Sequence, residues 1–144
     1  MRIAGQRRFE APRARVWDCL HDPQVLAGTL PGFQSLEPAG EGVYAGALQL
    51  GVGPVQGRFE GRVQLTDLQP PESYRLRLSG SGGAGFVEGE GRVALAEDGA
   101  GTTVSYEIDL QIGGRIAAVG QRMLEMTAKM LAKQALDSLA RRLA

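Results

Sequence analysis

The chain has 144 residues, of which 43% are hydrophobic and 22% charged, with a formal net charge of zero. These proportions suit one core of ordinary size, so a single domain over residues 1–144 is expected; they exclude a disordered polar chain, and no nucleic-acid partner is expected. No run approaches the length of apolar sequence that spans a bilayer.

Cys19 is the lone cysteine and cannot form an internal disulfide, and residues 1–9 lack the apolar run of a signal peptide. A reducing, cytoplasmic setting is therefore expected. The zero net charge hides an asymmetry, because residues 115–144 hold six basic side chains against Glu125 and Asp137. This cationic stretch reads first as a solvated helix face, with charges that favour a helix C-terminus.

In chain order, residues 2–10 read as a strand with Ile3, Gly5, Arg7 and Phe9 on one side. Ala11-Pro12 opens a helix with Val16, Trp17 and Leu20 on its apolar face, since proline at the first helical position loses no hydrogen bond. Asp22 caps a second short helix that ends near Gly28, and Leu30-Pro31-Gly32 breaks it. From Phe33 to Ile112 short alternating runs are separated by glycine, proline and acidic turns, the pattern of an antiparallel meander. Alternation is cleanest over residues 55–65, where Val55, Gly57, Phe59, Gly61, Val63 and Leu65 share one face.

After Gly113-Gly114 the sequence predicts a helix of about thirty residues, roughly 45 Å long at 1.5 Å per residue. Ile116, Val119, Met123, Met126 and Met130 fall in one narrow arc at helical spacing, so this stripe is expected to face the sheet. Leu136, Leu139 and Leu143, with Ala128 and Ala132, form a second stripe, which suits either packing or a membrane surface or partner. The order strand, two short helices, six strands and long helix resembles the helix-grip arrangement of Bet v 1 and START-like proteins. It predicts an α+β fold with a curved six- to seven-stranded antiparallel sheet wrapped around the C-terminal helix.

Familiar catalytic sets are missing parts. His21 and Cys19 are too close in sequence to read as a nucleophile–base pair, and no second histidine or cysteine completes a metal set. The glycine runs at 51–61 and 80–91 do not precede a helix as a phosphate cradle would. Glu88 and Glu90 share a strand face opposite Val87, Val93 and Leu95, and should point to solvent.

What stands out is a shortage of bulk on the inward side, at Gly46, Gly57, Gly61, Gly89 and Gly91. Such glycines mark either strong strand curvature or room for a guest. Candidate lining residues are apolar and aromatic: Trp17, Leu30, Phe33, Tyr44, Leu48, Phe59, Val63, Tyr74, Tyr106, Met123, Met126 and Met130. They suit a lipophilic ligand, and equally an ordinary core.

Ala11-Pro12 through Val16-Trp17, Leu30-Pro31-Gly32, the block Gly51-Val52-Gly53-Pro54-Val55-Gln56-Gly57, Leu65-Thr66-Asp67 with Pro70-Pro71, and Gly82 to Gly91 resemble the CoxG family of carbon monoxide dehydrogenase proteins. The likeness covers nearly the whole chain. It implies a non-enzymatic accessory protein that carries a quinone or lipid, with no covalent cofactor. It also implies electron-acceptor delivery to, or membrane recruitment of, a molybdenum hydroxylase. By the same resemblance Pro31, Phe33, Phe59, Phe86, Met123 and Met126 would border the ligand, and peripheral contact of the C-terminal helix with the inner face of the membrane is expected. Two other readings remain: a cyclase or aromatase, which needs an inward polar group such as Arg7, Tyr44, Tyr74 or Tyr106, and an adaptor that docks a partner without ligand.

Overall fold

The computed structural model describes residues 1–29 and 32–144. The elements are β1 (Arg2–Phe9), α1 (Arg13–Leu20), α2 (Pro23–Ala27), β2 (Phe33–Pro38), β3 (Val43–Val52), β4 (Val55–Gln69), β5 (Ser73–Gly82), β6 (Gly85–Asp98), β7 (Gly101–Gly113) and α3 (Gln121–Leu143). All strand pairings are antiparallel, in the order β1-β7-β6-β5-β4-β3-β2, so the first strand closes against the last and β2 is an edge. The expected helix-grip architecture is what forms.

Local chemistry explains the starts and bends. Pro12 is extended just before α1, and Asp22 caps α2 by accepting a 2.9 Å hydrogen bond from the Gln24 amide. Strand register slips between Phe33 and Ser35 and again between Thr66 and Gln69, where Asp67 takes a positive φ of 49°. Such bulges increase the local bend of a sheet. Gly46, Gly61 and Gly80 lie in register across β3, β4 and β5. A Cβ on Gly61 would run into the Ser79 carbonyl, and one on Gly46 into the Ser35 carbonyl. These glycines permit close backbone approach where the strands curve, and they leave a bare patch on the concave wall.

The C-terminal segment departs from the sequence expectation. Residues Arg115–Val119 form a 3-10 turn, Gly120 follows with a φ of 98°, and only then does the 23-residue α3 begin. Ile116 and Val119 therefore do not share a helical phase with the methionines. Ile116 is buried, whereas Met123, Met126 and Met130 are 38%, 65% and 50% exposed. The methionine stripe expected to face the sheet lies outside. The second stripe supplies the inward face instead: Leu139 and Leu143 are buried in the core.

The core is divided. One buried cluster gathers Trp17, Leu65, Tyr74, Val93, Leu139 and Leu143 around α1 and the end of α3. Another gathers Val52, Phe59, Ala84, Ile116 and Leu124 where α3 begins. The middle of α3 belongs to neither cluster.

Candidate ligand cavity

Between the two clusters lies a cavity of about 450 Å³. The inward face of α3 is large at both ends, with Leu124 and Leu139, and mostly small between them, where Thr127, Ala128, Ala132 and Ala135 line the space beside Leu131. The opposite wall is the sheet, where Gly46, Ala47, Gly61 and Gly80 contribute little volume and Val63, Leu78, Ile108 and Leu110 form the apolar floor. Small residues face small residues across the gap, and that is why it stays unfilled. Natural cores hold few voids larger than a water molecule, whereas ligand sites run from about 300 to 1,000 Å³.

Leu26 and Thr29 at the end of α2, with Phe33 and Leu36 of β2, form the wall nearest the residue 30–31 link. Phe33, Leu36, Leu131 and Ala135 are only half-buried, so the cavity opens to solvent along apolar side chains. Polar lining groups are few. The Thr29 hydroxyl is committed to the Leu26 carbonyl at 2.7 Å, and the Tyr44 hydroxyl makes a long 3.4 Å contact to the His21 carbonyl. Ser79 and Arg62 also border it; both are exposed residues beside the Gly61 bend.

Of the residues expected to border a ligand, Phe33, Tyr44, Leu48, Phe59 and Val63 come together on this wall. Trp17 does not. It stacks on His21 with ring centroids 4.2 Å apart and meets Tyr74 edge-on at 5.4 Å, inside the end cluster. Tyr106 packs against the same cluster, and its ring covers Gly5 on the neighbouring strand. Phe86 is 44% exposed and lies over Gly113, its partner in register, because it sits on the wet face of β6. Met123, Met126 and Met130 project from the outer face of α3; Leu30 and Pro31 lie outside the described residues.

Sequence reasoning missed Leu78, Ile108 and Leu110, whose alternation marks them as inward, and the α3 face from Leu124 to Ala135. The signal for the helix was the run of small residues in the second stripe.

The titratable groups bear on what the site can do. Arg7 donates to Asp137 on α3, and Asp137 also accepts from Lys133 at 2.9 Å. These two hydrogen bonds hold the Asp137 carboxyl below its ordinary range. Burial pushes the Tyr74 phenol well above its ordinary value, away from proton exchange at neutral pH. Burial likewise lowers the His21 imidazole, whose Nδ1–H donates to the Trp17 carbonyl at 2.8 Å. None of these three groups lines the cavity.

A curved sheet gripping a terminal helix around an open apolar cavity defines a helix-grip protein of the START and Bet v 1-like class. The family model of the carbon monoxide dehydrogenase protein CoxG matches residues 5–144, and the chain belongs to the CoxG family. Among solved structures, a conserved protein from Geobacillus kaustophilus is 33% identical with a TM-score of 0.95, over 99% of this chain and 95% of that one. A protein from Chromobacterium violaceum is 21% identical with a TM-score of 0.75, over 99% and 96% of the two chains. The Zhui aromatase/cyclase from Streptomyces sp. R1128 shares the fold at 15% identity and a TM-score of 0.69, over 99% and 93%. No curated protein matches the sequence.

Proposed function

We propose that this protein is a non-enzymatic carrier that holds a hydrophobic molecule, a lipid or quinone, between the sheet and α3. The observation that carries the reading is the facing of small residues across the split core, Ala128, Ala132 and Ala135 against Gly46, Gly61 and Gly80. Membership of the CoxG family supports a role beside a molybdenum hydroxylase of the carbon monoxide dehydrogenase type, as electron-acceptor delivery or membrane recruitment.

The cyclase alternative is less well supported. Of the four polar groups it would draw on, only Tyr44 borders the cavity; Arg7 is tied to Asp137, and Tyr74 and Tyr106 belong to the end cluster. Fold likeness to an aromatase does not carry the chemistry across.

The outer face of α3 favours contact with an anionic membrane surface. Among the described residues no helix is long and apolar enough to cross a membrane. Yet α3 exposes Met123, Met126 and Met130 beside Arg122, Lys129 and Lys133, an apolar strip flanked by cations. That combination suits a helix lying in the lipid interface.

Two experiments test these readings. Organic extraction of the purified protein, followed by mass spectrometry, should recover a stoichiometric lipid or quinone. Recovery of nothing, together with no uptake of added menaquinone or ubiquinone analogues, would remove the carrier reading. Co-sedimentation should show binding to phosphatidylglycerol vesicles that Met126→Glu abolishes; equal retention by phosphatidylcholine vesicles, or none by either, removes the membrane reading.

A further inference from the structure

Resting on the carrier reading, we infer that the cavity selects an uncharged ligand bearing a hydrogen-bond acceptor, and that Thr127 is the specificity-determining residue that receives it. Thr127 sits on the cavity face of α3, half-buried among Leu124, Ala128 and Leu131. Among the described residues no hydrogen bond occupies its hydroxyl, whereas the Thr29 hydroxyl is already bound to the Leu26 carbonyl. Tyr44, on the sheet wall, holds its own hydroxyl only in the long contact to His21. A ligand oxygen in this space thus meets two hydroxyl donors with little to give up.

Charge is treated differently. The described lining contains no lysine, histidine, aspartate or glutamate, and its one arginine, Arg62, belongs to the exposed face of β4, alternating with the inward Gly61 and Val63. A carboxylate placed inside would lose its water without a cation or a set of donors to replace it, and such a group resists burial. A carbonyl loses far less and recovers it through one hydroxyl bond. Thr127 therefore does two things: its methyl keeps the wall apolar, and its hydroxyl marks where the polar end of the guest lies.

The test uses diphenylhexatriene, a fluorescent hydrocarbon with no polar atom, to fill the cavity of the full chain, and competes it with 2-undecanone or undecanoate at pH 8. The ketone should displace the probe at about tenfold lower concentration than the carboxylate. Thr127→Val should raise the concentration of ketone needed by roughly fivefold, the scale of one hydrogen bond, with probe affinity unchanged. Thr127→Ser should restore it, and Tyr44→Phe should add to the loss. Equal competition by undecanoate, or ketone binding indifferent to both Thr127→Val and Tyr44→Phe, overturns this inference while leaving the carrier reading intact. Failure of the hydrocarbon itself to bind overturns both.

Discussion

Arg7 on the first strand and Asp137 on the last helix form an ion pair across 130 residues of chain, with Lys133 as the carboxylate's other partner. It fixes α3 against the β1 edge, just before the turn that brings Leu139 into the core. Because the partners hold the Asp137 carboxyl below its ordinary value of 3.8, the charged form is favoured in the folded state. The contribution is present above pH 3.8 and is lost as pH falls through the lowered folded value. Asp137→Asn should lower the melting temperature at pH 7 and leave it unchanged in strong acid. Thermal scans from pH 2 to pH 7 would show the two curves converge; parallel curves would mean the pair contributes nothing.

His21 should produce an effect at milder pH. Its Nε2 is buried with no hydrogen-bond partner, and burial lowers its affinity for a proton. The unfolded chain thus takes up the proton first. The stability due to neutral His21 is whole above pH 6.5 and declines as pH falls toward the lowered folded value. Denaturant unfolding between pH 8 and pH 5 should show that decline, and His21→Phe, which keeps a ring against Trp17, should flatten it.

The orientation of α3 can be read from a pair of substitutions. Leu139→Ala removes bulk at a site only 2% exposed and should cost about 2–5 kcal/mol. Met126→Ala, at 65% exposure, should cost less than about 0.5 kcal/mol. Urea titrations would settle the ranking, and the reverse order would place the methionine stripe inside.

Filling the cavity separates binding from folding. Ala128→Leu with Ala132→Leu adds side-chain volume where the wall is open, so the overpacking cost of about 1–3 kcal/mol met in filled cores should not appear. Uptake of diphenylhexatriene should be lost, with the melting temperature unchanged or raised. A marked fall in melting temperature would mean the space is narrower in solution.

Glycines on the concave wall should tolerate no side chain. Gly61→Ala pushes a Cβ into the Ser79 carbonyl and should destabilise by about 1–3 kcal/mol, whereas Gly83 has nothing within 4 Å of an added Cβ and Gly83→Ala should be close to neutral. Chemical denaturation of both variants checks the contrast.

How much of this was legible beforehand differs by element. Strand alternation needs only near neighbours, so Phe59, Val63 and Tyr44 were placed on the inward face from their own surroundings, and the cavity contains Phe59, Val63 and Tyr44. Phe86 breaks the rule of its strand and duly lies outside, covering Gly113. The helix was harder. A periodic reading carries phase across every residue, and Gly120, whose positive φ interrupts the helix, separated Ile116 from the methionines it had seemed to accompany.

The order of elements, the dry and wet faces of the strands and the shortage of inward bulk were properties of the sequence, because each depends on residues within a few positions of one another. Tertiary structure decided which stripe of α3 faces the sheet. It also decided that Trp17 and Tyr106 close one end of the core instead of lining the space, and that the glycines of three strands meet in register. The reason is physical: side-chain volume can be counted along the chain, but a cavity exists only where small residues from distant segments face one another, and that depends on how the sheet bends around the helix.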